Sequence, residues 1–179
     1  MIEFKIVEGR PYHCGQMARI LRLDQQKAIA VIGMSTHHEM RDKFDQSTFR
    51  KAWLINGRLA AVGGVVGSRL SAFGLVWLAM SNEAMKYPLA VVKEARRQLA
   101  EAMETRQMLV TNILDGDEAA KRFAVFLGFV PYDENESLPA SSIHGRRDMK
   151  RKIDESILAR TPLGNGFAVT MTYRQHEAA

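Results

Sequence analysis

The chain has 179 residues, 46% apolar and 25% charged, proportions ordinary for one globular domain with a sizeable core. No apolar run approaches the roughly 18 residues of a membrane span, and the opening MIEFKIVEGR lacks a basic head before a long apolar core, so membrane insertion and export are not expected and a cytoplasmic location is. Cys14 is the only cysteine, which excludes an internal disulfide, and the net charge of +5 with a pI near 9.5 favours anionic partners.

In chain order, Glu3 to Val7 alternates and predicts a first strand; Pro11 follows, and Gln16 to Ile32 predicts one helix with Met17, Ile20, Leu21, Ile29 and Ile32 buried and Gly33 as its stop. Met34 to Phe49 is mixed and predicts a second short helix plus a loop. Three apolar stretches, Lys51 to Ile55, Leu59 to Val66 and Gly74 to Met80, predict an antiparallel meander. Asn56-Gly57 between the first two marks a two-residue hairpin, because both positions accept positive φ. Gly63, Gly64 and Gly67 lack the spacing of a phosphate loop and instead fit a bulge in a crowded strand pair. Pro88 opens a long helix through about Arg106, with Leu89, Val92, Leu99 and Met103 on its apolar face.

Met108, Leu109, Val110 and Ile113 predict a buried strand ending at Asp115-Gly116. Asp117 suits an N-cap and Glu118 the positive end of the helix that follows, in which Ala120, Phe123, Ala124 and Leu127 recur at helical spacing before Gly128. Phe129 and Val130 start another strand. The polar run after Tyr132 leads into a basic helical stretch, Ile143 to Arg160, and Phe167 to Tyr173 alternates as a last strand.

The block TNILDGDEAAKRFAVFLGFV resembles the last conserved segment of the GNAT family of acetyl-CoA-dependent N-acetyltransferases. Ala120 stands at the family's alanine, Phe123 at its first aromatic, Gly128-Phe129 at its ending, and Asp117 where the family has asparagine. Ile20-Leu21-Arg22-Leu23-Asp24 and Trp77-Leu78 are similar to stretches of small GNAT-like proteins of tailed phages, which are either named acetyltransferases by fold or found with virion assembly genes. The resemblance implies a single α/β (α+β) domain over residues 1–179, a mixed, largely antiparallel sheet flanked by helices, and residues 132–166 as an insertion carrying a basic helix before the last strand.

It also implies a site. In the family a glycine-rich loop after the fourth strand cradles the cofactor pyrophosphate with backbone amides, which needs close approach and free N–H groups. Here that loop reads SNEAMKYPLA, without glycine and with Pro88 removing one amide, so acetyl-CoA binding would fall to what remains: the strand edge at Leu78, Ala79, Met80 and Ser81, the point charge of Lys86, and Asp117. The family's thiolate-protonating tyrosine is replaced by Ala124, and Glu83 and Asp115 are the carboxylates available as a general base. Direct attack on a thioester needs no enzyme nucleophile. His37-His38-Glu39 presents no metal-ligand spacing, and no metal is expected.

Outside that site, Arg146, Arg147, Lys150, Arg151 and Lys152 wrap the basic stretch in positive charge, a surface for a protein partner, self-assembly or nucleic-acid phosphates. The missing loop and the missing tyrosine together predict a GNAT-fold protein with degenerate catalysis, serving as a structural or interaction module of a phage particle or its assembly. The alternative is a divergent acetyl-CoA-dependent N-acetyltransferase with a rebuilt cofactor loop.

Overall fold

A computed structural model describes residues 2–31, 33–68, 71–114, 117–131 and 168–174. Asp115, Tyr132, the 132–166 insertion and its basic residues Arg146, Arg147, Lys150, Arg151 and Lys152 lie outside the described residues.

The elements are β1 (Phe4–Glu8), α1 (Pro11–Ile20), α2 (Leu23–Val31), α3 (Thr36–Gln46), β2 (Ser47–Ile55), β3 (Arg58–Val66), β4 (Phe73–Met80), α4 (Asn82–Met85), α5 (Pro88–Met103), β5 (Met108–Leu114), α6 (Glu118–Leu127), β6 (Val130–Pro131) and β7 (Ala168–Arg174). The strands form one sheet in the order β1-β2-β3-β4-β5-β7-β6. Every described pairing is antiparallel except β4 with β5. This is the mixed, largely antiparallel sheet that the resemblance implied.

Local chemistry accounts for the punctuation. Asn56 (φ 50°) and Gly57 (φ 75°) both take the left-handed region, so the β2–β3 connection is the two-residue turn expected of Asn-Gly. The Asp117 side chain accepts from the Ala120 amide, and Gly128 closes α6 at φ 104°, a conformation that costs glycine nothing. In β2 the register shifts between Ser47 and Phe49, opposite Val65 and Val66 of β3, so a bulge lies beside Gly64 while Gly63 and Gly64 themselves pair regularly with Lys51 and Arg50.

Two expectations are corrected. The single helix over Gln16 to Ile32 is two helices, and Pro11 begins the first. Leu21 turns to extended geometry (φ −59°, ψ 141°) and bridges Ser81, so pairing with the end of β4 overrides local helix propensity. Met17 and Leu21 are buried as expected, while Ile20 is exposed. On α5, Leu89 is 82% exposed, and the buried stripe is Val91, Ala95, Leu99, Ala102 and Met103. That stripe starts two residues after Leu89, which places Leu89 on the opposite side of a helix with 3.6 residues per turn.

Helices cover both faces of the sheet. On one, α1 and α3 pack Cys14, Met17, Met40 and Phe44 against Ala52, Val62, Trp77 and Ala79. On the other, α5 and α6 pack their apolar stripes against Trp53, Ala61, Val65, Leu109 and Ile113.

Cys14 sits at 3% exposure in the first layer, and burial raises its thiol to about 11 from 9.0, with Arg41 opposing and Asp45 adding to the shift. The thiol is therefore protonated and shielded at neutral pH. A thiol-specific disulfide reagent at pH 8 should leave native protein unmodified and titrate one thiol after denaturation. The raised value means that the folded state holds this proton more tightly than the unfolded chain. Its contribution to stability is thus complete below about pH 9 and declines as pH climbs toward about 11, a limb that should flatten in Cys14→Ala.

Candidate functional site

The site follows from how β4 and β5 run. They pair in parallel through Phe73 with Met108, Gly74 with Leu109 and Leu75 with Val110, and beyond that point the ladder stops. The next rung is made by a side chain: Thr111 Oγ1 donates to the Val76 carbonyl at 3.2 Å. The last third of β4, through Leu78, Ala79 and Met80 to Ser81, is left with one edge turned toward a cleft where a strand would otherwise lie.

That edge is not bare, which corrects the expectation that Leu78 to Ser81 expose unpaired groups. Gln25 Nε2 donates to the Leu78 carbonyl at 2.9 Å, and the Met80 N–H donates to Gln25 Oε1 at 2.8 Å. The Arg22 N–H donates to the Met80 carbonyl at 3.1 Å, and Leu21 bridges Ser81. Arg22 also reaches Met85 of α4 through Nη1, 3.1 Å from Sδ, and pairs with Asp24, whose carboxyl is held below the usual range chiefly by that hydrogen bond. The α1–α2 corner is thus clasped over the end of β4. Ser81 is committed too, its hydroxyl lying 3.0 Å from the Leu59 carbonyl and 3.2 Å from that of Ala60 while accepting from the Glu83 amide.

In the stretch after β4 most backbone amides are already engaged. Ser81 caps the short turn α4, and the amides of Glu83, Ala84, Lys86, Tyr87 and Val91 all bond within residues 81–87. Pro88 has no N–H to give. An anion placed here would have to break those bonds first.

The charged candidates are engaged with other partners. Glu83 accepts from Lys86 at 2.8 Å and pairs with Arg58 at 3.6 Å. Arg58 belongs to β3, on the far side of β4 from β5, so Glu83 is not aimed between the splayed strands. The Lys86 hydrogen bond, with Arg58 adding, holds the Glu83 carboxyl below its ordinary value, which makes it a weak base at neutral pH. Lys86 is correspondingly engaged. Asp117 spends a carboxylate oxygen on capping α6, where a negative charge would repel phosphate. Ala124 is buried in the α6 contact with the sheet, and no phenol occupies its place.

Among the described residues, no three His, Cys, Asp or Glu side chains gather to hold a metal ion, and no helix is long and apolar enough to cross a membrane. Glu39 is instead buried against Lys43.

Leu78 to Ser81 are therefore brought together with Arg22 and Gln25, with Thr111 on the neighbouring Val76, while the side chains of Glu83, Lys86 and Asp117 are engaged with other partners. Gln25 and Arg22 were not singled out for this role by sequence. The one signal was the stretch Ile20-Leu21-Arg22-Leu23-Asp24, whose residues turn out to form the clasp.

No family model and no curated protein matches the chain. Solved structures do match. The ribosomal-protein-S18-alanine N-acetyltransferase of Escherichia coli superposes with a TM-score of 0.60 at 12% identity, over 99% of this chain and 97% of that one. YncA of Salmonella typhimurium, solved with its cofactor acetyl-CoA, gives 0.58 at 13%, over 99% and 96%. N-acetylglutamate synthase of Neisseria gonorrhoeae, complexed with coenzyme A and N-acetyl-glutamate, gives 0.55 at 14%, over 97% of this chain and 35% of the other. At such identities the likeness is one of fold, and the fold is that of GNAT acetyltransferases.

Proposed function

We propose that the protein is an acyltransferase that takes acetyl from acetyl-CoA to an amine through the cleft between β4 and β5. The observation that carries this is the splay itself: a parallel pair that opens after Leu75 and Val110 and leaves the Leu78 carbonyl and Met80 N–H facing the gap. Solved neighbours of the same fold are acetyltransferases, two of them holding acetyl-CoA or CoA, and they favour this reading over the structural or interaction module expected from the missing motifs.

The residues fit one end of the cofactor and not the other. Leu78 and Met80 present an acceptor and a donor at the spacing that an amide-bearing arm requires, as a strand edge does for an added strand. In the segment 81–87 the amides of Ser81, Glu83, Ala84, Lys86 and Tyr87 already have partners, which a pyrophosphate bound there would have to displace. Acetyl-CoA, when bound, supplies a thioester open to direct attack by an amine, so the protein's task is to hold the arm, orient it and keep water away. Burial of Met80 and Ser81 serves the last of these.

A second reading has its own support in Ala124 and the engaged amides: a fold retained without the chemistry. Thermal unfolding of CoA-free protein with millimolar acetyl-CoA separates the two. A ligand at about 100 times its dissociation constant adds about 2.7 kcal/mol, a rise of about 5 to 10 °C in midpoint for a domain of this size. A dose-dependent rise, followed by thiol release in an amine screen, supports the transferase. No rise at millimolar ligand rejects it in favour of the retained fold.

A further inference from the structure

The Gln25 carboxamide sits where a residue of a parallel strand would sit had β5 continued beside β4. In a parallel ladder, a neighbouring residue gives its N–H to the carbonyl of one residue and takes the N–H of the residue two further on. Gln25 does this with a single side chain, donating to Leu78 and accepting from Met80. Its orientation is fixed by its partners, since a carbonyl can only accept and an N–H can only donate. The hold is reinforced on either side. The Arg22 N–H donates to the Met80 carbonyl, and the Thr111 side chain of β5 donates to the Val76 carbonyl, so every polar group named on this edge from Val76 to Met80 has a partner without the β5 backbone ladder.

We infer that Gln25 is a built-in stand-in for the amide of an acyl-pantetheine arm, closing the β4 edge until such a ligand displaces it. The inference rests on the acyltransferase reading above. Each amide of a pantetheine chain carries one N–H and one C=O, the same donor and acceptor as the carboxamide of Gln25, so the two compete for one pair of backbone groups. Gln25 is half-buried in the first turn of α2, at a corner where the helix is already interrupted by Leu21, and a change of side-chain rotamer frees the edge without unfolding β4. The cleft is thereby kept from water and from other chains' strands while empty.

The competition has a measurable size. A ligand that must displace two modest hydrogen bonds binds more weakly than one meeting an open edge, and removing the competitor should recover about tenfold in affinity, equivalent to about 1.4 kcal/mol. The test is isothermal titration of the wild-type chain, Gln25→Ala and Gln25→Met with acetyl-CoA and with S-acetyl-pantetheine, which has the arm and no nucleotide. Met keeps the length of the side chain and its packing, so it guards against a loss of structure in the alanine variant. Both variants should bind both probes about tenfold more tightly than wild type. The Met80 amide, which donates to Gln25 in the wild type, should exchange faster in the free variants than in the wild type and regain protection with either probe. Equal or weaker binding by folded variants would show that Gln25 does not compete, and would overturn the inference while leaving the acyltransferase reading in place. Binding of neither probe to any of the three would overturn that reading, and this inference with it.

Discussion

Replacing Gly64 with alanine is expected to lower stability by about 3 kcal/mol or more, among the larger losses a single methyl can cause. A Cβ at this position would stand 2.4 Å from the Phe49 carbonyl oxygen, a backbone atom of the neighbouring strand that no rotamer change can move. It would also lie 3.1 Å from Ser47 Oγ and 3.2 Å from Trp77 Nε1. Those two atoms are themselves joined by a buried hydrogen bond of 2.8 Å that passes over Gly64. Relief would require β2 to move away from β3 or the Trp77–Ser47 bond to break, and either loosens the centre of the sheet. Gly57→Ala is the informative comparison: its φ is +75° but nothing lies within 4 Å of the added atom, so only the left-handed backbone opposes it, at about 1 to 2 kcal/mol. Thermal or urea unfolding should rank the two with Gly64→Ala well below Gly57→Ala. A midpoint for Gly64→Ala within 2 °C of wild type would mean that β2 and β3 are not packed this closely.

What could be read in the sequence was local. Asn56-Gly57 needs two positive φ angles, Asp117 needs an amide three residues on, and Gly128 needs the left-handed region. Each of these residues carries its own conformational reason, and each lies where expected. The order of strands and helices follows from such punctuation together with apolar periodicity. Leu89 lies off the expected face because a helix start set by Pro88 does not say which side of the first turn meets the sheet; Val91 and Ala95 decide that by packing. The break at Leu21 was missed for a different reason, since Leu21 leaves the helix to pair with Ser81, a contact between residues far apart in the chain. The strand edge at Leu78 to Ser81 was an expectation of the resemblance, but its occupant was not. Gln25 bonds to residues 53 and 55 positions away, and a glutamine on a polar helix face has no periodicity or spacing that announces such a partner.

Phe44→Ala should produce a comparable loss, about 3 to 5 kcal/mol, through a cavity instead of a clash. Phe44 is 1% exposed on α3 and clusters with Cys14 and Met17 of α1, with Met40 and with the β2–β4 face, while the Arg50 guanidinium lies 5.0 Å from its ring centre. Truncation removes most of that contact and leaves a space whose walls are strands and helix backbones, which collapse only in part. The expected fall in midpoint is about 10 °C or more. Its distribution matters as much as its size. The layer that Phe44 fills carries α1, and α1 ends at Leu21, where the clasp over β4 begins. Loosening this layer should therefore open the Arg22 and Gln25 contacts more readily than the opposite face, where α5 and α6 keep their own core. Hydrogen exchange in Phe44→Ala should accelerate at Arg22 and Met80 beyond the change in global stability, and in step with it at Leu99 and Leu109. Uniform acceleration at all four amides would show that the two faces unfold as one unit and that the clasp has no opening of its own.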